Sequence, residues 1–115
     1  MEDSIFTKII KREIPAKIEY EDDDIIAFND IIPQAPIHIL IIPKKQIPTI
    51  SDIDLDDTLL MGKIIQTAKK IAEKKGIKED GYRLVINCGE KAGQTVFHIH
   101  CHLLSGRPMN WPPGW

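Results

Sequence analysis

The residues best suited to carry out chemistry form an alternating run near the end of the chain. Three of the four histidines, His98, His100 and His102, are separated by single apolar residues. Successive side chains of a β-strand point to opposite faces, so the pattern predicts three imidazoles on one surface. Neighbouring rings in such a row lie roughly 7 Å apart along the strand, close enough for two of them to contact one phosphate group.

The side-chain chemistry of this row favours catalysis over packing. Imidazole has an unperturbed pKa near neutral, so one ring can attack phosphorus as a neutral base while a neighbour donates a proton. Histidine forms strands no better than the apolar residues around it, so packing alone does not explain three of them within five residues. The row therefore predicts a nucleophile and an acid on one face.

Zinc binding is the competing interpretation of the same row. His-x-His on a strand is a common zinc-ligand geometry, and three histidines suffice for a catalytic zinc. The spacing alone leaves both possibilities open. The turn Gly93-Gln94-Thr95 directly before the row offers backbone N–H groups and a hydroxyl, which suit an anionic phosphate. This turn favours phosphate chemistry.

The pattern of apolar residues predicts an α+β fold, in which an antiparallel sheet packs against one long and one short helix. Ser4 can cap the short helix and Pro15 would stop it. The long helix is predicted from about Leu55 to Lys75, with Gly76 as its stop signal. Five segments are predicted as strands: Lys17–Glu21, Ile25–Phe28, Ile37–Ile42, Tyr82–Asn87 and Val96–Leu104.

Composition narrows the class of protein. A chain of 115 residues with 43% hydrophobic content can build one core, so a single domain over residues 1–115 is expected. A net charge of −2 predicts no general attraction to nucleic acid, and no apolar run is long enough for a membrane helix. The acidic start Met1-Glu2-Asp3 does not resemble a secretory signal, and two cysteines are too few for a disulfide framework. We therefore expect a cytoplasmic protein.

The run from His98 to Leu104 resembles the signature of the histidine triad (HIT) superfamily, in which histidine alternates with apolar residues. Three further segments are similar to the Hint branch, the histidine triad nucleotide-binding proteins. These are Ile9-Ile10-Lys11-Arg12-Glu13-Ile14-Pro15-Ala16, Pro33-Gln34-Ala35-Pro36-Ile37-His38 and Gly106-Arg107-Pro108-Met109-Asn110-Trp111-Pro112-Pro113-Gly114. The resemblance extends from about Ser4 to Gly114.

This resemblance implies a HIT-like fold with a five-stranded sheet, and a homodimer whose two sheets join edge to edge. It also implies a phosphoramidase that hydrolyses purine nucleoside phosphoramidates without metal or cofactor, with aminoacyl-adenylates as related substrates. His100 would attack the α-phosphorus and form a nucleotidyl-histidine, which water then hydrolyses. His102 would contact the phosphate and leaving group and transfer a proton, His98 would brace the site, and His38 would join the network.

The resemblance further implies a binding site for a purine nucleotide. Asp30 would accept hydrogen bonds from both ribose hydroxyls, and Trp111 would reach the site of the partner subunit. The phosphate would contact backbone N–H and hydroxyl groups at Asn87, Gly93, Gln94 and Thr95. The base would lie in an apolar slot built from Ile5, Phe6, Ile9, Phe28, Ile31 and Leu40.

Some positions depart from the pattern of the family. Gln46 stands where many relatives have another histidine, and Thr95 replaces the more usual serine, which could slow the leaving-group step. Ser4 and Thr7 occupy positions where some bacterial relatives carry cysteines for zinc, so no structural metal is expected. Trp115 extends past the usual ending, without an explanation from the sequence.

Two other functions remain open at the level of sequence. One is a nucleotide-binding regulatory or scaffold protein in which slow turnover is incidental, because both functions would use the same pocket. The other is a dinucleoside polyphosphate hydrolase or nucleotidyl transferase from another HIT branch. The Trp-Pro-Pro-Gly ending argues against this second alternative.

Overall fold

A five-stranded antiparallel sheet organises the computed structural model, which describes residues 4–112. The spatial order of the strands is β1-β2-β3-β5-β4, with β3 at the centre. Trp115 and the Pro113-Gly114 pair lie outside the described residues, so the expectations that concern them remain untested. The strands are β1 (Ile18–Glu21), β2 (Ile25–Asn29), β3 (Ile37–Pro43), β4 (Arg83–Val85) and β5 (Cys101–Ser105). This architecture confirms the predicted α+β class.

The short helix α1 spans Ile5–Ile10 and begins as predicted. The Ser4 side chain accepts a hydrogen bond from the Thr7 amide at 3.1 Å, which satisfies one of the donors that a helix start leaves unpaired. Pro15 was expected to stop this helix, and that expectation was wrong. The helix already ends at Ile10, and Arg12 has a φ of 62°, a left-handed conformation that turns the chain away.

The long helix α2 spans Thr58–Lys75, and a 3₁₀ turn at Leu55–Asp57 precedes it, so the predicted start lies one turn too early. Gly76 ends the helix with a φ of 71°, as the stop signal predicted. Its amide hydrogen-bonds to the carbonyls of the last turn. Within residues 4–112, no helix has both the length and the apolar character needed to cross a membrane.

The two helices cover opposite faces of the sheet. Alternation along β3 sends Ile39 and Ile41 towards α2, while Leu40 and Ile42 face α1. The α2 side contains the larger apolar cluster, to which β5 contributes Cys101 and Leu103. The central strand is therefore buried on both faces, as its nearly continuous apolar sequence predicted.

The last strand is shorter than the sequence predicted. β5 begins at Cys101, so His98 and His100 precede the strand, whereas Val96–Leu104 was expected to be extended throughout. Its neighbours give the physical reason. The last β4 residue, Val85, pairs with His102, and β3 ends at Pro43, which has no amide hydrogen for a further ladder. The predicted strand Tyr82–Asn87 is likewise reduced to Arg83–Val85.

Gly62 inside α2 and Gly76 at its C-terminal cap should respond to substitution by alanine in opposite directions. Gly76→Ala places a side chain at a positive φ and should lower the free energy of unfolding by about 1 kcal/mol. Gly62→Ala should raise it by roughly 0.5–1 kcal/mol, because Gly62 is exposed inside the helix and no atom lies within 4 Å of an added Cβ. Urea denaturation of both variants measures the difference; equal shifts would contradict the assignment of the helix end.

Candidate active site

One cavity of about 280 Å³ gathers most of the residues that the sequence assigned to the site. It lies on the α1 side of the sheet, where Phe28 of β2, Leu40 of β3 and His102 of β5 are neighbours across the strands. All six residues predicted for the base slot line it, together with Asp30, Thr95, His100 and His102. Five lining residues were not predicted: Ile14, Pro15, Ala16, Asn29 and Val96.

His100 is buried, and its two ring nitrogens have different environments. Nδ1 lies 2.8 Å from the backbone oxygen of His98, and because a carbonyl can only accept, Nδ1 carries the proton. In a neutral ring, the lone pair is then on Nε2. The edge-to-face contact with Phe6, with ring centroids 5.0 Å apart, packs the ring in this position.

All four histidine rings are held in the neutral form. Burial lowers the pKa of His38, His98 and His100 below the usual 6.5, because a charged ring would lose its hydration. The pKa of His102 falls to about 3, first through burial and then through the nearby rings of His100 and His38. A neutral ring is the form of imidazole that can act as a nucleophile.

His38 and His102 are joined in an ordered chain of hydrogen bonds. The Gln34 amide donates to His38 Nδ1 at 3.0 Å, so the proton of the neutral His38 ring is on Nε2. That nitrogen lies 2.9 Å from His102 Nδ1, which must therefore accept. The proton of His102 is consequently on Nε2, and this ring lines the cavity as a donor.

His98 does not line the cavity and instead supports the neighbouring segments. Its Nε2 donates to the Pro43 carbonyl at 2.7 Å, at the end of β3, and the side chain is fully buried. Its backbone oxygen holds His100 Nδ1, and its ring contacts Phe6 at 6.1 Å between centroids. The three histidines of the run therefore do not form one equivalent row, and the bracing role that the family resemblance implied for His98 stays a prediction.

Asp30 lies just after β2, at the rim of the cavity. One carboxylate oxygen accepts from the Ile32 amide at 2.9 Å, and the other lies 3.5 Å from His38 Nε2. The backbone of Asp30 also donates to the His38 carbonyl. The carboxylate is thus fixed beside the histidine network and half-buried, in a position to accept hydroxyl hydrogen bonds.

The loop proposed to bind phosphate contributes unequally to the cavity. Thr95 lines the cavity, whereas Asn87, Gly93 and Gln94 do not. Gln94 is buried: its side chain accepts from the Gly89 amide and donates to the Pro48 and Val96 carbonyls. Its own amide donates to the Gly89 carbonyl, so Gln94 shapes the loop in this structure, and its expected role in holding phosphate stays a prediction.

Comparison with known proteins identifies the family. The model of the HIT domain matches residues 11–109. The chain belongs to the HIT domain family. A purine nucleoside phosphoramidase from Escherichia coli is 56% identical over 108 residues, which cover 94% of this HIT domain chain and 91% of that protein.

Solved structures of HIT proteins agree with the fold. A HIT family hydrolase from Legionella pneumophila Philadelphia 1 superimposes with a TM-score of 0.95 at 54% identity, covering 97% of this chain and all of the other. A histidine triad nucleotide-binding protein from Candida albicans gives a TM-score of 0.81 at 34% identity, covering 98% and 85%. The HIT-like fold is thereby confirmed, and the Escherichia coli and Legionella relatives are named as enzymes.

The donor atoms in this HIT domain do not form the three-histidine zinc site that was the competing interpretation. Among residues 4–112, the group of possible metal ligands is Asp30, His38 and His102, whose donor atoms lie within 4.8 Å of one another. His38 Nδ1 already accepts from Gln34, so its Nε2 keeps the proton and has no lone pair for a metal. The hydrogen bonds of these residues suit a proton network better than a zinc ion.

Trp111 is 84% exposed and does not line the cavity of its own chain. Its predicted contact with a partner subunit stays a prediction.

The cavity wall formed by Ile14-Pro15-Ala16 was not predicted, although the sequence contained a signal for it. These residues are an apolar segment after α1 that belongs to no predicted helix or strand. Proline fixes part of this segment in an extended form.

The buried neutral rings should make the protein less stable in mild acid. Their folded pKa values lie below 6.5, so the unfolded chain takes up protons first as the pH falls, and stability present above pH 6.5 is lost below it. His102 alone should account for a loss of about 2 kcal/mol between pH 6.5 and 5. Urea denaturation of the protein and of His102→Asn should show a flatter pH dependence in the variant. An unchanged slope would contradict the neutral state of His102.

Proposed function

We propose that this HIT domain hydrolyses purine nucleoside 5′-phosphoramidates to a nucleoside monophosphate and an amine. The observation that carries the proposal is the neutral His100 ring, whose Nδ1 proton is held by the His98 carbonyl while the ring lines a cavity that is apolar on one side. The similarity to the purine nucleoside phosphoramidase from Escherichia coli supports this choice of reaction.

The cavity offers separate surfaces for the base, the ribose and the phosphate of a nucleotide. Its apolar wall, formed around Phe6, Phe28 and Leu40, suits the flat face of a purine. The Asp30 carboxylate at the rim can accept hydrogen bonds from the ribose hydroxyls. The α-phosphate would then lie beside His100 Nε2, where the His102 Nε2–H and the Thr95 hydroxyl can donate to its oxygens. Base, sugar and phosphate thus each have chemically matched partners.

The reaction would proceed in two steps. His100 Nε2 attacks the α-phosphorus, the new N–P bond forms, and the bond from phosphorus to the leaving nitrogen breaks. The leaving nitrogen takes its proton from a water molecule and departs as the amine, while the His102 Nε2–H stays on its ring and donates a hydrogen bond to a phosphoryl oxygen. The hydroxide left by that water then attacks the phosphorus of the nucleotidyl-His100 and the N–P bond breaks. Its oxygen stays in the nucleoside monophosphate, and His100 returns to its neutral form. Aminoacyl-adenylates would follow the same route, because they present the same α-phosphorus.

The proposed enzyme acts as a homodimer in the cytoplasm. β4 stands at the edge of the sheet, so its outer side can pair with a second copy and extend the sheet across two chains. The exposed Trp111 would then be available to the cavity of the partner. Cys88 and Cys101 are both free thiols, which fits a reducing compartment.

A regulatory nucleotide-binding protein is the second candidate, favoured by the likeness to the histidine triad nucleotide-binding protein from Candida albicans. Turnover of adenosine 5′-phosphoramidate by His100→Asn separates the two. For an enzyme, kcat should fall by about a thousandfold or more, because the nucleophile is lost, while the Kd for AMP changes only a few-fold. Gly62→Ala, on the exposed face of α2, should keep full turnover and serves as the control.

Two outcomes would contradict the proposal. If His100→Asn hydrolyses the substrate at a rate close to that of the unmodified protein, His100 is not the nucleophile. If turnover of the unmodified protein is slow and a chelator abolishes it, the chemistry depends on a metal. Turnover that survives chelation supports the metal-free mechanism.

A further inference from the structure

The peptide group of Gln34 is hydrogen-bonded on both sides. Its N–H donates to His38 Nδ1 at 3.0 Å, and its carbonyl accepts from Arg107 Nε at 3.0 Å. Arg107 comes from the segment after β5, 73 residues further along the chain. One peptide therefore connects this C-terminal segment to the buried histidine network.

The loop that carries Gln34 is held from within by a hydrogen bond from Gln34 Nε2 to the Ile32 carbonyl at 3.3 Å, and the next residue, Ala35, is buried. Residues 31–34 are exposed, and Ile31 and Ile32 keep 85% and 69% of their surface open to solvent. A turn in which Asp30 accepts from the Ile32 amide holds the start of the loop. Both polar groups of the Gln34 peptide are therefore held, the N–H by His38 and the carbonyl by Arg107.

The chain around Gly106 is built to bring Arg107 to this loop. Ser105 pairs with Ile37 at the end of the sheet, and Gly106 then turns with a φ of 97°. A Cβ at Gly106 would lie 2.8 Å from Pro36 Cβ, so only glycine permits this close approach. The tight turn places the half-buried Arg107 beside the Gln34 carbonyl.

We infer that Arg107 is a positioning residue for the histidine network: by holding the Gln34 peptide against His38, it keeps the protons of His38 and His102 on Nε2. The catalytic consequence rests on the proposed function, but the location of the protons does not. Arg107 does not line the cavity.

Losing this contact would let the direction of the hydrogen bonds reverse in part of the molecules, while the Asp30 carboxylate, 3.5 Å from His38 Nε2, still favours the proton on that nitrogen in the rest. If the Gln34 amide moves away, His38 can carry its proton on Nδ1, and its Nε2 then accepts from His102 Nδ1. His102 Nε2 would become an acceptor facing the phosphate. A lone pair directed at an anionic oxygen is repulsive, so this second arrangement would be inactive in the proposed reaction.

The test compares Arg107→Met with Lys78→Met, which removes one positive charge at an exposed position outside the cavity. Long-range ¹H–¹⁵N correlation spectra of the unliganded proteins report which nitrogen of each ring carries the proton. We expect single Nε2–H forms of His38 and His102 in the unmodified protein and in Lys78→Met, and a mixture of forms in Arg107→Met. We also expect kcat for adenosine 5′-phosphoramidate to fall about tenfold with little change in KM, and Arg107→Lys to restore part of it.

Unchanged ring spectra in Arg107→Met would overturn the inference, whatever the activity of the variant. If Arg107→Met fails to fold, the unmodified protein supplies the answer through the ¹⁵N–¹⁵N coupling across the hydrogen bond from Gln34 to His38. A measurable coupling supports the inference, and its absence overturns it. Failure of the proposed function would instead leave the spectra as expected and remove only the change in turnover.

Discussion

The hydrogen bonds that fix one proton on each buried imidazole are the interaction on which the whole site depends. An imidazole whose protonation is not fixed could serve as nucleophile, acid or cation. Here backbone groups fix the tautomer of each ring. The His98 carbonyl determines the tautomer of His100, and the Gln34 amide determines that of His38 and, through His38, that of His102. Burial keeps the rings uncharged, and the backbone selects the nitrogen. A nucleophile and a donor can therefore stand side by side, with ring centroids 5.0 Å apart.

The fold supplies these constraints through the centre of the sheet. The register of β3 and β5 places Leu40 opposite His102, with His38 two residues along the same face, so the two rings meet diagonally. The α2 side of the sheet is filled by a large apolar cluster, which stabilises the strands, while the short α1 leaves room for a cavity on the other face. Stability and chemistry thus occupy opposite faces of one sheet.

Much of this arrangement could be predicted from the sequence, and the predictions that were wrong have physical explanations. Alternation correctly predicted that Cys101 and Leu103 face away from His100 and His102, which line the cavity on the other side of the sheet, whereas His98 does not line it. It could not show that the strand begins only at Cys101, because that depends on where the neighbouring strands end. Nor could it identify the carbonyl and amide that orient the rings, since every residue carries such groups and only the fold selects them.

The most direct test of the proposed mechanism is to trap the reaction at its first step. Adenosine 5′-phosphoramidate mixed with enzyme and quenched within milliseconds in alkaline denaturant should yield protein heavier by one adenylyl group, attached to Nε2 of His100. Fragmentation by mass spectrometry locates the adduct. Turnover without any adduct, or an adduct on a residue other than His100, would contradict the account.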